Sequence, residues 1–350
     1  MRAQVLEAFN TPYKLVDMPK PPSPTGKNIL VRVDAASYCH TDAVFASGAM
    51  SQNLPRVGSH EFAGTIVALG PDVSPTLALQ VGTKVGVPGR AFNPCGTCFE
   101  CTHNEGDPEG YSVWCTKAGN LGLSRDGGFQ EYCLADSRQV APMPEGLDAV
   151  NTAPLMCAGL TIWNALRTSG VKMEKGANEG FTVAISGAGG GLGHLGVQFA
   201  AKLGCSVIAV DVSVKALQLL KEVVKDLGPL GSKVAIVNGT EQKAEEVRVA
   251  VCGTPEPALE GEKGADALLV LPEAQKALEY GMKLLKKPRR MRDGEFPKGW
   301  VFDSAWGFRL QTYPDERRAG SSKPLTSCNA AVFGKGRSKS KTNGLSAGTA

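Results

Sequence analysis

From about Ala153 to Lys287 the chain alternates short apolar runs with runs of helical spacing, and this constrains the fold more than any other feature. FTVAISG, SVIAVD, KVAIVNG and ADALLVL read as buried strands, and LMCAGLTIWNALRT, GHLGVQFAAKLG, VKALQLLKEVVKDL, AEEVRVAVCG and EAQKALEYGMKLLKK as helices. Strands joined by helix-length crossovers run parallel, so this half predicts a doubly wound sheet covered on both faces. Residues 1–152 differ. NILVRVDAAS, EFAGTIVALG and TKVGVPG are short strand-like runs between Pro and Gly clusters, and no helical period there exceeds about two turns. A β-rich domain over 1–152 followed by an α/β domain over 153–287 suits a chain of 350 residues. Its longest apolar stretch, Phe181 to Ala201, is cut by glycines, so no membrane span is expected. The N-terminus lacks the apolar core of a signal peptide, and the expected compartment is the cytoplasm.

The alternation stops after Lys287. The last 65 residues carry a net charge of +9 against −5 for the rest, and GKGRSKSKTNGLSAGTA is polar and low in complexity. Residues 288–350 therefore read as an atypical, basic, partly disordered tail. No aromatic residues interleave with its terminal basic ones, so nucleic-acid binding is not expected of it.

The glycine excess, 42 in 350, is concentrated where it has chemical meaning. Gly187, Gly189, Gly190, Gly191, Leu192 and Gly193 follow the FTVAIS strand directly and open a helix. Glycines there let the backbone approach a pyrophosphate, whose charge sits on the helix N-terminus. The next strand ends in Asp211, placed to accept from a ribose 2′-hydroxyl and to repel a 2′-phosphate. This favours NAD over NADP.

Close cysteine spacing in a reducing compartment reads as metal binding before disulfide. Cys95, Cys98 and Cys101 lie at equal short spacing on a Pro/Gly loop, with Cys115 further on. Four thiolates close a tetrahedral site, so a structural Zn²⁺ is expected; His103 is the alternative to Cys115 as fourth ligand. A second constellation is dispersed: Cys39 in YCHTD, His60 in GSHEFAG and Cys157 in LMCAGLT. Two thiolates and one imidazole match a catalytic Zn²⁺ with an open position.

Taken in order, CHTD, G-x-HE, the cysteine quartet, CAG and GAGGGLG make the chain resemble the zinc-containing medium-chain alcohol dehydrogenases, in particular their yeast-like and fungal branch. The likeness runs from residue 1 to about Lys287. It implies a GroES-like catalytic domain, a Rossmann domain for the cofactor, and hydride transfer between NAD(H) and an alcohol, aldehyde or ketone. It further implies that Thr41 passes the substrate proton, Asp42 orients His60, and Glu61 is the acidic neighbour of the zinc. His40 would contact the cofactor pyrophosphate and Lys215 would lie near the adenine ribose; a homo-oligomer is one expectation, left open because the family's usual assembly edge is not recognisable here.

Four departures set this chain apart from that pattern. Val44 stands where yeast-like members carry a relay histidine. Met50 and Arg90 fall where small-alcohol members carry tryptophan, so a pocket for substrates larger than ethanol is expected, compatible with fungal specialised metabolism. The loop from Cys101 to Cys115 is longer. No fifth strand, sixth strand or returning C-terminal segment is recognisable after Lys287. A frameshifted or mis-spliced continuation, with little or no activity, is the alternative reading of the chain.

Overall fold

The computed structural model describes residues 1–50, 53–103, 112–251 and 263–286, and the backbone of 300–303. The parallel sheet has the order Val234–Asn238, Ser206–Asp211, Thr182–Ser186, Ala267–Val270, Trp300–Asp303. Register is direct: Val183 pairs with Val207 on one side and Ala267 on the other. Side chains alternate between two separate cores. Val183, Ile185, Val207, Ala209 and Leu269 pack with the helices Ala158–Thr168 and Gly191–Leu203 on one face. Ala184, Ile208, Val210, Leu268 and Val270 pack with Val247 and Leu284 on the other. Burial on both faces is why these strands read as unbroken apolar runs in the sequence.

Three local results differ from the sequence-based expectation. Trp300–Asp303 forms a fifth strand, parallel to Ala267–Val270, which is therefore not the sheet edge. That corrects the expectation that nothing sheet-like follows Lys287. WVFD is four residues inside charged text, too short to show a period. The helix begun at Gln275 ends at Met282 rather than running through LLKK. Leu284 accepts from the Ala265 N–H and Lys286 donates to the Ala265 carbonyl, so this backbone pairs beside the sheet while Leu284 and Leu285 are buried. The helix over LMCAGLTIWNALRT is broken at Cys157, whose φ of −127° and ψ of −69° separate a 3₁₀ turn from the helix Ala158–Thr168. The expected tail lies outside the described residues apart from 300–303, as do residues 104–111 of the cysteine loop.

The N-terminal domain is built on an antiparallel sheet in the order Ala141–Pro142, Lys84–Pro88, Glu61–Leu69, Asn28–Ala36, Tyr132–Asp136. Ile29, Val31, Phe62, Ile66, Val85, Val87, Cys133 and Ala135 make its core on one face. A smaller sheet joins Lys14–Asp17, Arg2–Leu6 and Arg56–Val57, and a hairpin pairs Arg90–Phe92 with Gly119–Asn120. Among the described residues no helix is long and apolar enough to cross a membrane.

Candidate active site

The segments bearing Cys39, His60 and Cys157 arrive from different parts of the fold. Cys39 is the N-cap of the short helix His40–Ala46, His60 immediately precedes the strand Glu61–Leu69, and Cys157 caps the helix Ala158–Thr168. The fold brings ligand atoms of Cys39, His60, Glu61 and Cys157 within 4.8 Å of one another. His60 Nε2 lies 3.3 Å from Cys157 Sγ.

Asp42, fully buried, organises this meeting. Its Oδ2 accepts from the Cys39 N–H at 2.9 Å, and its Oδ1 accepts from the Ser59 N–H at 3.2 Å. The same Oδ1 stands 3.4 Å from His60 Nδ1, which has no closer partner. Thr41 Oγ1 is 3.7 Å from Cys39 Sγ, so the hydroxyl borders the cluster. Gly89 lets the neighbouring strand close in: a Cβ there would lie 2.7 Å from His60 backbone and side-chain atoms.

The electrostatics of the cluster are those of a cation site. The hydrogen bond from the Cys157 thiol, outweighing burial, holds Cys39 down at about 3. That bond, with burial, pushes Cys157 well up. Burial alone would lower His60, but hydrogen bonds to Asp42 and Cys39 and their charge overcome it and raise the ring to about 10. Burial and then the Cys39 charge lift Glu61 to about 7, and its buried Oε2 has no hydrogen-bond partner. The donors that meet in this space are soft sulfur and nitrogen, and their protons compete for it. A divalent ion of zinc type would replace those protons, so the residues fit the metal.

Cys95, Cys98, Cys101 and Cys115 form the second cluster, all four sulfurs within 4.8 Å. Sγ separations of 3.6–3.8 Å link Cys98 to Cys101, Cys98 to Cys115, and Cys115 to Cys95. Hydrogen bonds from Thr97 lower Cys95 to about 5, whereas burial raises Cys101 to about 12. His103 takes no part; it stacks on Phe99 with ring centroids 4.2 Å apart.

In the second domain the glycine turn follows Ser186 and enters the helix Gly191–Leu203. Gly187 has φ +74°, and Cβ atoms at Gly189 and Gly193 would lie 2.5 Å from Ala216 and 2.2 Å from the Gly187 carbonyl oxygen. Packing explains these three. It does not explain Gly191, whose Cβ would meet nothing within 4 Å, nor Gly190, whose only close neighbour would be 3.3 Å away. That open space at a helix N-terminus is a cradle of the kind a pyrophosphate fills. Asp211 Oδ2 accepts from the Gly189 N–H at 2.9 Å, and Oδ1 from Val212 and Ser213 at 2.8 and 3.1 Å. The carboxylate thus shapes the turn and retains acceptor capacity for a hydroxyl. Lys215 is exposed one residue into the helix Val214–Asp226, and His40 is exposed at the start of its own helix.

Two features were not legible beforehand. Arg90 donates from Nε to the Val113 carbonyl, with its guanidinium 5.0 Å from the Trp114 ring centroid, so it leans on the cysteine lobe. Ser59, the unassigned x of G-x-HE, is fully buried with φ +67°.

The model of the alcohol dehydrogenase GroES-like domain matches residues 25–145. An alcohol dehydrogenase of Geobacillus stearothermophilus is 38% identical over 229 residues, 65% of this chain. The match spans 63% of that relative, just under two thirds of its length. One from Moraxella sp. (strain TAE123) is 30% identical over 311 residues, 87% of this chain and 81% of that protein. The solved structure of an NAD-dependent alcohol dehydrogenase superposes with a TM-score of 0.67 at 25% identity, covering 87% of this chain and 77% of that one.

Proposed function

We propose that this chain, which belongs to the zinc-containing medium-chain alcohol dehydrogenase family, transfers hydride between NAD(H) and an alcohol or carbonyl substrate larger than ethanol. The observation that carries the reading is the convergence of Cys39, His60 and Cys157, distant in sequence, into one cluster beside Glu61. Those three would hold a catalytic zinc, and the cysteine quartet a structural one. Bound there, zinc supplies Lewis acidity towards an alcohol or carbonyl oxygen.

The chain's own residues do the rest. Asp42 accepts towards His60 Nδ1, leaving Nε2 free to ligate and fixing the ring plane. Thr41 Oγ1 takes the alcohol proton in oxidation and returns it in reduction. Val44 offers no titratable group for the next step, so the proton passes from Thr41 by a cofactor ribose hydroxyl to water. The turn Gly187–Gly193 seats the pyrophosphate, and Asp211 accepts from the adenosine ribose and disfavours a 2′-phosphate. His40 and Lys215 are proposed as further cofactor contacts. Neither Met50 nor Arg90 has the bulk of tryptophan, and Arg90 is drawn aside to Trp114, which supports a wider pocket. The setting we propose is the cytoplasm, in the fungal branch of the family. The fifth strand favours a working enzyme over the inactive alternative, because it extends the cofactor sheet beyond Ala267–Val270.

The test is NADH formation from a panel of alcohols of increasing size. Secondary or aromatic alcohols are expected to exceed ethanol in kcat/KM, with NAD preferred to NADP. No turnover with any alcohol or carbonyl in protein that carries two zinc ions would overturn the reading.

A further inference from the structure

Ser59 occupies a backbone conformation that glycine holds freely and serine does not, φ +67°, in a turn pinned on every side. The Val57 N–H donates to Asp126 Oδ1 and the Ser59 N–H to Asp42 Oδ1. Gly127, Gly128 and Phe129 donate to the carbonyls of Val57, Ser59 and Gly58 at 2.9, 2.8 and 3.0 Å. Gly89 donates to the His60 carbonyl at 2.6 Å. Space behind the turn is closed as well: a Cβ on Gly127 would lie 1.9 Å from the Ser59 carbonyl oxygen. The backbone alone therefore fixes the turn, and glycine would satisfy it.

What serine adds is a hydroxyl, placed between two segments. Ser59 Oγ lies 3.1 Å from the carbonyl oxygen of Ser37 and 3.1 Å from that of Glu61, its single proton shared between them. Ser37 lies two residues before Cys39, and its N–H donates to the same Glu61 carbonyl at 3.0 Å. The hydroxyl thus spans the loop that delivers Cys39 and the loop that delivers His60 and Glu61.

We propose that Ser59 is a positioning residue for the catalytic metal: its hydroxyl, bridging the Ser37 and Glu61 carbonyls, sets the separation of Cys39 from His60. The inference rests on the reading that these residues hold zinc. Asp42 ties the two loops through Cys39 N–H and Ser59 N–H, and Ser59 ties them through carbonyls, so the ligand pair is braced twice. Outer-shell bracing of this kind governs metal affinity.

The cysteine quartet provides an internal control. Wild type, Ser59→Gly and Ser59→Ala are loaded with zinc, and separately with cobalt, then titrated with a chelator of known affinity while metal per chain and the cobalt visible spectrum are followed. Unfolding of the metal-free proteins is measured in parallel. Ser59→Gly removes the hydroxyl and relieves the left-handed strain, so its metal-free form should be at least as stable as wild type. It should nonetheless release one of its two metals to roughly 10- to 100-fold less chelator, with a changed catalytic-site cobalt band and an unchanged quartet band. Ser59→Ala should show the same selective loss. Equal affinity of Ser59→Gly and wild type at both sites, or parallel loss from both, overturns the proposal and leaves the functional reading standing. Wild-type protein holding metal at the quartet alone overturns both.

Discussion

Asp42 and Thr41 are adjacent in CHTD, yet one is buried and oriented inward while the other borders the ligand cluster. The difference comes from the helix His40–Ala46, whose first turn sends Asp42 back to its own N-cap. Replacing Thr41 by Ala is expected to lower kcat by roughly 100-fold, within the usual range for a proton-transfer group, with Thr41→Ser restoring most of it; steady-state kinetics at saturating NAD measure this. Asp211 accepts from the Gly189 N–H of the glycine turn and from the Val212 and Ser213 N–H groups that follow it, beside the ribose contact proposed for it. Asp211→Gly should therefore weaken NAD binding while lifting the exclusion of NADP, read as a convergence of the two dissociation constants in fluorescence titration. At this scale the side chains that converge in the two clusters were legible in the sequence, because each sits in a short, ordered signature. Ser59 was not, because one polar residue in a turn carries no spacing signal. The Arg90–Trp114 contact was not, because it depends on a hairpin that only pairing reveals.

At the scale of elements, the parallel strands were legible because both faces are buried and each strand is punctuated by a helix. The antiparallel domain was readable only as short strands. Its order and register follow from long-range pairing, such as Ile29 with Leu69 on one side and Ala135 on the other, which no local pattern encodes. Trp300–Asp303 was missed for want of length. The core of that antiparallel sheet contains Cys133, whose thiol burial raises to about 12. Its folded value lies above the ordinary one of 9.0, so the unfolded chain ionises first. Stability is full below pH 9 and declines as pH rises towards 12, by about 1.4 kcal/mol between pH 8 and pH 10 if this group acts alone. Urea unfolding of wild type and Cys133→Ala at both pH values checks it: the variant should lose less stability over that interval than wild type.

For the whole molecule, the proposed work divides between the two domains: the antiparallel one carries most of the candidate metal ligands, and the parallel sheet carries the glycine turn proposed to seat a dinucleotide. Among the candidate ligands, Cys157 lies immediately before the helix that leads into the parallel sheet. On the proposed function metal binds the folded chain, so removing it with a strong chelator should lower the melting temperature and abolish turnover, and readded zinc should restore both. The measurement that bears most directly on the account is zinc X-ray absorption on the purified protein, with zinc counted per chain. The account predicts two zinc ions per chain and a mean first shell of three sulfurs and one nitrogen or oxygen, shifting to an all-sulfur shell and one zinc in His60→Ala. A wild type with one zinc in a shell of four sulfurs would contradict it.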